Sequence, residues 1–480
     1  MTRLSASVLR HLRSGASSVK PGRLAEAQKC ITARKFSSTA TACTDGVFRD
    51  LTEARIQTPW IEALRKKQRD GEDPTRASGI PQVPANRNLE PKPMSDSYHR
   101  VILTQKILPL AQDPWLLDTY LNSSGHIRLG TIFMDLDALS GVIAYKHTGE
   151  EVTTVTAACD RITIRNPLTE ICDLEYSGQV TYATGRSSME ISLQVAKAPK
   201  EGQTVQEKDV LMTCTFTMVS LDPGTKKPVN VSPLLLKTEE EKALFARGEE
   251  NSKRRKELKT KSLIKHTPND EESDIIHAMW QKQLQWHDPN DPLRRPANVQ
   301  LMSATRVQTA SIMQPQYRNR HHFMIFGGFL LKQTFELAFC CAASFAHTRP
   351  TFVSLDPSTF QNPVPVGSVL YMTATVVYTD PPAVVDPADS LNASTEKRRT
   401  RVQVRVDSKV RNVEHGETKP TGQFNYTFTV DADVKVMPET YTEFMLYIDA
   451  RRRARQVQAS IDKGPLGGRV DPGEGERVME

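Results

Sequence analysis

The sequence predicts an α+β chain of two similar halves, each a long central helix wrapped by a curved antiparallel sheet. Three observations carry this reading. A set of short motifs recurs in the same order; a glycine turn opens a long apolar helical run in each half; and alternating stretches rich in Thr, Val and Ile follow each run.

The repeat comes first. GHIRLGTIFMDLD (125–137) answers to FMIFGGFLLKQTFE (323–336), with Gly130 and Gly328 198 positions apart. Asp160…Asn166-Pro167 answers to Asp356…Asn362-Pro363 at an offset of 196, and Thr-Phe-Thr at 215–217 to 427–429 at 212. Three matches in one order argue for a duplicated unit where one would not. A helix apolar on most faces has to be enclosed. An antiparallel sheet with one apolar face, curled around it, does that.

Taken in chain order, residues 1–36 hold eight basic side chains and one acid, with Leu4, Val8, Leu9 and Leu12 at helical spacing. This Arg- and Ser-rich composition is that of a mitochondrial transit peptide, which implies the matrix. The segment carries the whole net charge of +7, so the body is near neutral and offers no bulk electrostatic case for nucleic acid. Residues 37–93 read as a loosely ordered lead-in with one short helix near Trp60–Lys67. The first globular half, 94–232, has strand-like stretches at Val152–Arg165, Leu174–Ala196 and Val210–Leu221. A charged helical connector occupies 233–298. The second half, 299–454, has strands at Leu301–Thr309, Thr351–Leu355, Ser368–Thr379, Arg399–Val413 and Phe424–Val430. Residues 455–480 read as a flexible tail.

Several classes are excluded. The longest apolar run, Phe323–Ala346, is interrupted by Lys332, Gln333 and Glu336, so no membrane span is expected. Seven scattered cysteines form no CxxC pair, and a matrix protein would keep them reduced; Cys340–Cys341 reads as core packing. His321 and His322, adjacent in an extended segment, point opposite ways, and no metal site is expected. There is no GxSxG elbow, phosphate-binding loop or dinucleotide fingerprint.

The chemistry gathers at the glycine turns. A helix N-terminus presents backbone N–H groups and a partial positive charge, and glycine lets a ligand approach closely. Gly130, Gly327 and Gly328 could therefore polarise a carbonyl oxygen, although a tight packing turn is the commoner use of such a pair. Asp137, two helical turns beyond Gly130 on an apolar helix, is costly to bury unless it is paired or used, which suits a general base. Asp135 cannot share its face and reads as an exposed partner. Glu336 stands one position past the equivalent of Asp137, which is Phe335, and so reads as a displaced acid. Asn122 and Asn319 each precede a glycine turn; an amide there orients a ligand or caps a loop.

These residues resemble the hotdog-fold acyl-CoA thioesterases of the mitochondrial two-hotdog type. The likeness runs through GHIRLGTIFMDLDALSG (125–141), PLLLKTEEEKALFARGE (233–249), IFGGFLLKQTFELAF (325–339), RPTFVSLDPSTFQNPVPVGS (349–368) and PETYTEFMLYIDARRR (438–453). The resemblance implies hydrolysis of fatty acyl-CoA without a cofactor, coenzyme A being part of substrate and product. It implies sites between two hotdog units, an Asn from one and an acid from the other. Asn122 and Asp137 fit the family motif. Asn319 stands one residue too far from Gly327, with Arg320 in the expected place. Of two composite sites, Asp137 with Asn319 is preferred and needs a one-residue bulge; Asn122 with Glu336 is the alternative. Arg451, Arg452 and Arg453 could meet CoA phosphates. The family also implies a homo-oligomer, commonly a trimer of double-hotdog chains. The alternatives are a hotdog hydratase or dehydratase, with His126 as its histidine, and a non-catalytic acyl-CoA-binding protein.

Overall fold

In the computed structural model of the chain the described residues are 60–62, 64–65 and 89–462, less 102–107, 150, 167, 169, 200–204, 224, 261–262, 264–265, 291–292, 320–323 and 384–398. The chain divides into two compact units, Met1–Ala42 and Cys43–Glu480, and every described residue belongs to the second. The transit-peptide expectation, most of the lead-in, His321, His322 and the end of the tail lie outside the described residues.

Twelve strands form one antiparallel sheet. The first repeat contributes β1 (His99–Val101), β2 (Thr153–Cys159), β3 (Ile162–Ile164), β4 (Leu174–Ala183), β5 (Ser188–Lys197) and β6 (Val210–Leu221). The second contributes β7 (Val307–Ile312), β8 (Thr351–Leu355), β9 (Ser358–Phe360), β10 (Val369–Asp380), β11 (Thr400–Arg411) and β12 (Thr418–Val430). The strand order is the same twice: β1-β4-β5-β6 leads to β2 and β3, and β7-β10-β11-β12 leads to β8 and β9. The halves join across two matched seams. Ser354 and Leu355 of β8 pair with Thr163 and Ile162 of β3, and Ser358 and Thr359 of β9 pair with Cys159 and Ala158 of β2.

Besides a single turn at Met94–Ser97, the described residues form six longer helices: α1 (Pro114–Tyr120), α2 (Leu129–Thr148), α3 (Glu239–Thr260), α4 (Asp270–Trp286), α5 (Gly327–Ala346) and α6 (Tyr441–Asp462). The last runs past the expected boundary at 454. α2 ends at Gly149, whose φ of 80° favours glycine; α5 ends on His347 in the left-handed region. α5 is long and apolar enough to cross a membrane, but most of it is buried here against α2 and the sheet. Cys341 is buried as expected, whereas Cys340 is exposed.

The duplication extends to details that the motifs did not reveal. Ser97 Oγ accepts from Val180 N at 3.0 Å, and Thr305 Oγ1 accepts from Val376 N at 3.0 Å. Asn166 Nδ2 donates to Val210 O at 2.8 Å, and Asn362 Nδ2 to Pro420 O at 2.8 Å. Tyr182 packs on Phe245 of α3 at 4.9 Å, and Tyr378 on Tyr447 of α6 at 5.1 Å. Each repeat is thus backed by its own charged helix.

Those helices are held by ion pairs on buried carboxylates. Arg255 of α3 meets Asp160 at 2.5 Å and Glu190 at 3.0 Å, while Arg453 of α6 and Arg161 meet Asp356 at 3.4 and 3.5 Å. Arg451 donates to Glu271 at 2.9 Å, and Arg452 to Glu272 at 2.6 Å, tying α6 to α4. Arg451, Arg452 and Arg453, expected near the CoA phosphates, each pair here with a protein carboxylate.

The Arg455 and Arg451 guanidiniums hold the Glu271 carboxyl down to about 2. A carboxyl depressed in the folded state stabilises above its unfolded pKa of about 4.3, and that contribution is lost as pH falls toward the folded value. Glu271→Gln is therefore expected to flatten the acid limb of stability below about pH 4, read from urea midpoints across pH. An unchanged acid limb would show that this clamp contributes nothing.

Candidate active site

The two glycine turns are entered by matching loops. In the first repeat Leu121 bridges Ile127, Asn122 N donates to His126 O at 2.8 Å, and Arg128 N to Tyr120 O at 2.7 Å. In the second, Arg318 bridges Ile325, Asn319 N donates to Met324 O at 2.7 Å, and Phe326 N to Tyr317 O at 2.9 Å. Asn122 and Asn319 therefore occupy the same rung. The second loop is one residue longer between that rung and its return, which accounts for the register mismatch in the sequence. The Asn122 carbonyl oxygen accepts from Ser124 N at 2.8 Å and His126 N at 3.0 Å, the loop-capping use of an Asn.

α2 and α5 lie against each other so that the opening turn of each faces the second turn of the other. Asp137 of α2 is fully buried at the turn of α5. Gly328 N donates to its Oδ2 at 2.5 Å, and Thr156 Oγ1 of β2 donates to its Oδ1 at 2.7 Å. Ser140 Oγ donates to the Asp137 backbone oxygen at 2.7 Å and stands 3.5 Å from Oδ1. Donors of this kind make a buried carboxylate tolerable. Burial, and after it the Asp137 charge, pushes the Cys214 thiol well up, so the acid's field reaches β6.

The glycines are required by this approach. A Cβ on Gly328 would stand 2.9 Å from both Asp137 Cβ and Met134 O and 2.7 Å from the Phe326 ring; one on Gly327 would stand 3.1 Å from Asp137 Oδ2 and 3.3 Å from Thr156 Cβ. The Gly328 N–H is engaged with the acid, which narrows the expectation that both N–H groups face a carbonyl. Gly327 remains as the donor of the turn beside Asp137 and Thr156.

Asp135 is not an exposed partner. It is buried and accepts from Tyr120 OH at 2.5 Å, and its charge adds to the burial that pushes the Tyr176 phenol up. The two acids do point apart, Asp135 into its own repeat and Asp137 toward the other.

The second composite turn is built differently. Phe335 takes the place of Asp137 beside Gly130, and Phe352 takes that of Thr156. Phe133, Phe335 and Phe352 pack edge to face at 5.4–5.6 Å, with Phe428 also against Phe335 and Phe352. Each buried ring contributes about 1.5–3 kcal/mol of apolar stabilisation, so this turn is core. Glu336 points away from it and pairs with Arg128 at 2.7 Å, both partly exposed. Asn122 and Glu336 are thus separated in use: one caps a loop, the other forms an ion pair.

Sequence reasoning missed Thr156. It lies in a run of threonines on β2, and only the contact with α2 singles it out. A bulge between Thr156 and Ala158 in the pairing of β2 with β6 marks the spot.

No family model matches the chain. Known proteins do: bovine mitochondrial acyl-coenzyme A thioesterase 9 is 33% identical over 78% of this chain and 82% of its own, and the human protein of the same name is 34% identical over 76% and 78%. Among solved structures, a Staphylococcus aureus acyl-CoA hydrolase in complex with butyryl coenzyme A, coenzyme A and coenzyme A disulfide covers 34% of this chain and 94% of its own at 23% identity, with a TM-score of 0.27. The relatives define an acyl-CoA hydrolase class. The chain belongs to the acyl-coenzyme A thioesterase 9 family within it.

Proposed function

We propose that the chain hydrolyses acyl-CoA thioesters at one composite site, formed by Asp137 and Thr156 of the first repeat and the Gly327–Gly328 turn and Asn319 loop of the second. The observation that carries this is the buried Asp137 carboxylate, held at 2.5 Å by the N–H of the opposite helix turn. The two repeats are read as two hotdog units, each sheet half closing over its own helix. The thioester carbonyl lies against the Gly327 N–H, and the Asn319 amide orients it. Asp137 takes a proton from water as the water oxygen attacks the carbonyl carbon; the tetrahedral intermediate then collapses, the C–S bond breaks, and Asp137 passes the proton to the departing sulfur, giving fatty acid and coenzyme A. In the alternative route the carboxylate itself attacks, the C–S bond breaks with loss of the thiolate, and a water then hydrolyses the resulting acyl anhydride, its oxygen going to the fatty acid and its proton to the thiolate, which restores Asp137. Acyl-CoA is the substrate; no cofactor enters the reaction.

Thr156→Val keeps the shape and removes one donor to the acid. It is expected to lower kcat by about tenfold or more, the worth of a hydrogen bond to a charged group, with little change in folding. Equal rates for the variant and wild type would remove Thr156 from the site.

Residues 1–36 are read as a mitochondrial import signal with the matrix as destination, in keeping with relatives named mitochondrial. The functional assembly is read as a homo-oligomer, a trimer of double-hotdog chains. Release of free thiol from saturated acyl-CoAs of graded chain length tests the activity directly. A hydratase, or a protein that only binds acyl-CoA, releases none.

A further inference from the structure

The short helix expected near Trp60 belongs to neither repeat, yet its first residue reaches the catalytic turn. Trp60 opens a helical stretch, and the Arg318 guanidinium lies over its ring, 5.9 Å from the centroid. Arg318 is the middle one of three residues that lead toward the turn of α5. Before it, Tyr317 stacks on Phe329 at 4.0 Å and packs on Met134, Ala138 and Phe326, a small apolar cluster beside Asp137. After it, Asn319 N donates to Met324 O at 2.7 Å, and Arg318 itself bridges Ile325. Arg318 is extended, with φ −72° and ψ 149°, so its side chain points away from those of its neighbours. Tyr317 goes inward to the cluster, and Arg318 goes outward to Trp60.

The guanidinium is held from two directions. Its Nη1 donates to Pro315 O at 2.9 Å, which closes it onto the preceding turn, and the Trp60 ring covers it. Burial lowers the Arg318 pKa, as expected of a cation partly withdrawn from water. A ring face counts for more against such a cation than against an exposed one. The first repeat is fastened differently. Leu121 stands at the matched rung, an apolar residue packed on the core, and the Asn122 side chain closes its own loop through Ser124 N and His126 N. The second loop is one residue longer, and it is this loop, beside the acid, that carries the cation and its aromatic cover.

We propose that Trp60 is a positioning residue for hydrolysis: its ring holds Arg318, and Arg318 fixes the rung that carries Asn319 beside the catalytic turn. The lead-in thereby completes a site otherwise built from the two repeats. The inference rests on the reading of Asn319 as part of that site. Trp60 lies beyond the import signal read at residues 1–36, so removal of the signal leaves the contact in place.

The test is thiol release from a saturated acyl-CoA by the full chain, with kcat, KM and the thermal midpoint measured for each variant. Trp60→Ala should lower kcat about threefold to tenfold, the worth of a partly buried cation–ring contact, with KM and the midpoint little changed. Trp60→Phe keeps a ring for the guanidinium and should recover at least about half of the wild-type kcat. Arg318→Gln should lose as much as Trp60→Ala, and the double variant no more than the larger single loss, since both changes remove one contact. Wild-type kcat in Trp60→Ala overturns the proposal. So does an equal loss in Trp60→Phe and Trp60→Ala, a pair of losses that multiply in the double variant, or a loss of kcat matched by a fall in the midpoint. Asp137→Asn separates this inference from the reading beneath it. If Asp137→Asn loses activity and Trp60→Ala does not, only the role of Trp60 fails; if Asp137→Asn keeps the wild-type rate, both fail.

Discussion

Asp137→Asn is expected to lower kcat for acyl-CoA hydrolysis by about 10²–10⁴-fold, the range for loss of a positioned base, while the fold persists. The amide keeps the size of the side chain; its oxygen can still accept from Gly328 N, and its NH2 can donate to Thr156 Oγ1, the two groups that now donate to the carboxylate at 2.5 and 2.7 Å. What it cannot do is take a proton from water or attack as an anion. The proper comparison is Glu336→Gln. Among the described residues Glu336 pairs with Arg128 across a partly exposed surface, so its loss should leave thiol release within about twofold of wild type, as for other exposed ion pairs. If the two variants exchanged these outcomes, the site would belong to the other turn.

Gly328→Ala should produce the second largest effect, on stability and activity together. The added methyl would stand 2.9 Å from the Met134 carbonyl oxygen, which is helix backbone and cannot swing aside, and 2.9 Å from Asp137 Cβ. Overpacking of this kind typically costs about 1–3 kcal/mol. It also pushes α5 away from the acid, and a displacement of about 1 Å at a catalytic group can cost about 10²-fold in rate. Gly130→Ala is the internal control. Its methyl would meet the flexible Lys332 stem at 3.3 Å and the Phe335 ring at 3.5 Å, so hydrolysis should be nearly unchanged. Thermal melts alongside kcat/KM separate the two components. Equal tolerance at both glycines would mean that the close helix contact at Asp137 is not needed.

Much of this was legible in the sequence because duplication makes a chain its own reference. The spacing of Gly130 and Gly328 located both buried helices, and the same register exposed Phe335 where an acid was expected. Most strand stretches fell where alternation placed them, but Leu174–Ala196 is two strands joined at Gly185, whose φ of 83° marks the turn; Val152–Arg165 is also two strands; and Leu301–Thr309 is interrupted by a 3-10 turn at Met302–Thr305. Other features depend on distances that no linear pattern contains. Thr156 becomes important because β2 passes beside α2. Asp135 is buried because Tyr120 and Tyr176 of its own repeat surround it. The mismatch at Asn319 vanished once hydrogen bonds, instead of residue counts, defined the rung. Arg451–Arg453 looked like a free basic cluster because the acids that claim them, Glu271, Glu272 and Asp356, lie about a hundred residues away or more.

The two turns have inverted polarity. One turn keeps an acid beside an apolar wall; the other keeps charged side chains beside an aromatic plug. A duplicated fold can lose one of its two reaction centres without losing stability, since three packed phenylalanines replace the hydrogen bonds that the acid and threonine would have needed.

The most direct test is a structure of the full chain with a non-hydrolysable acyl-CoA analogue. The account predicts the carbon that stands for the thioester carbonyl within about 3.5 Å of the Asp137 carboxylate or of a water held by it, beside the Gly327 N–H. An analogue whose reactive carbon sits instead at Gly130, next to Phe335 and Glu336, would contradict it.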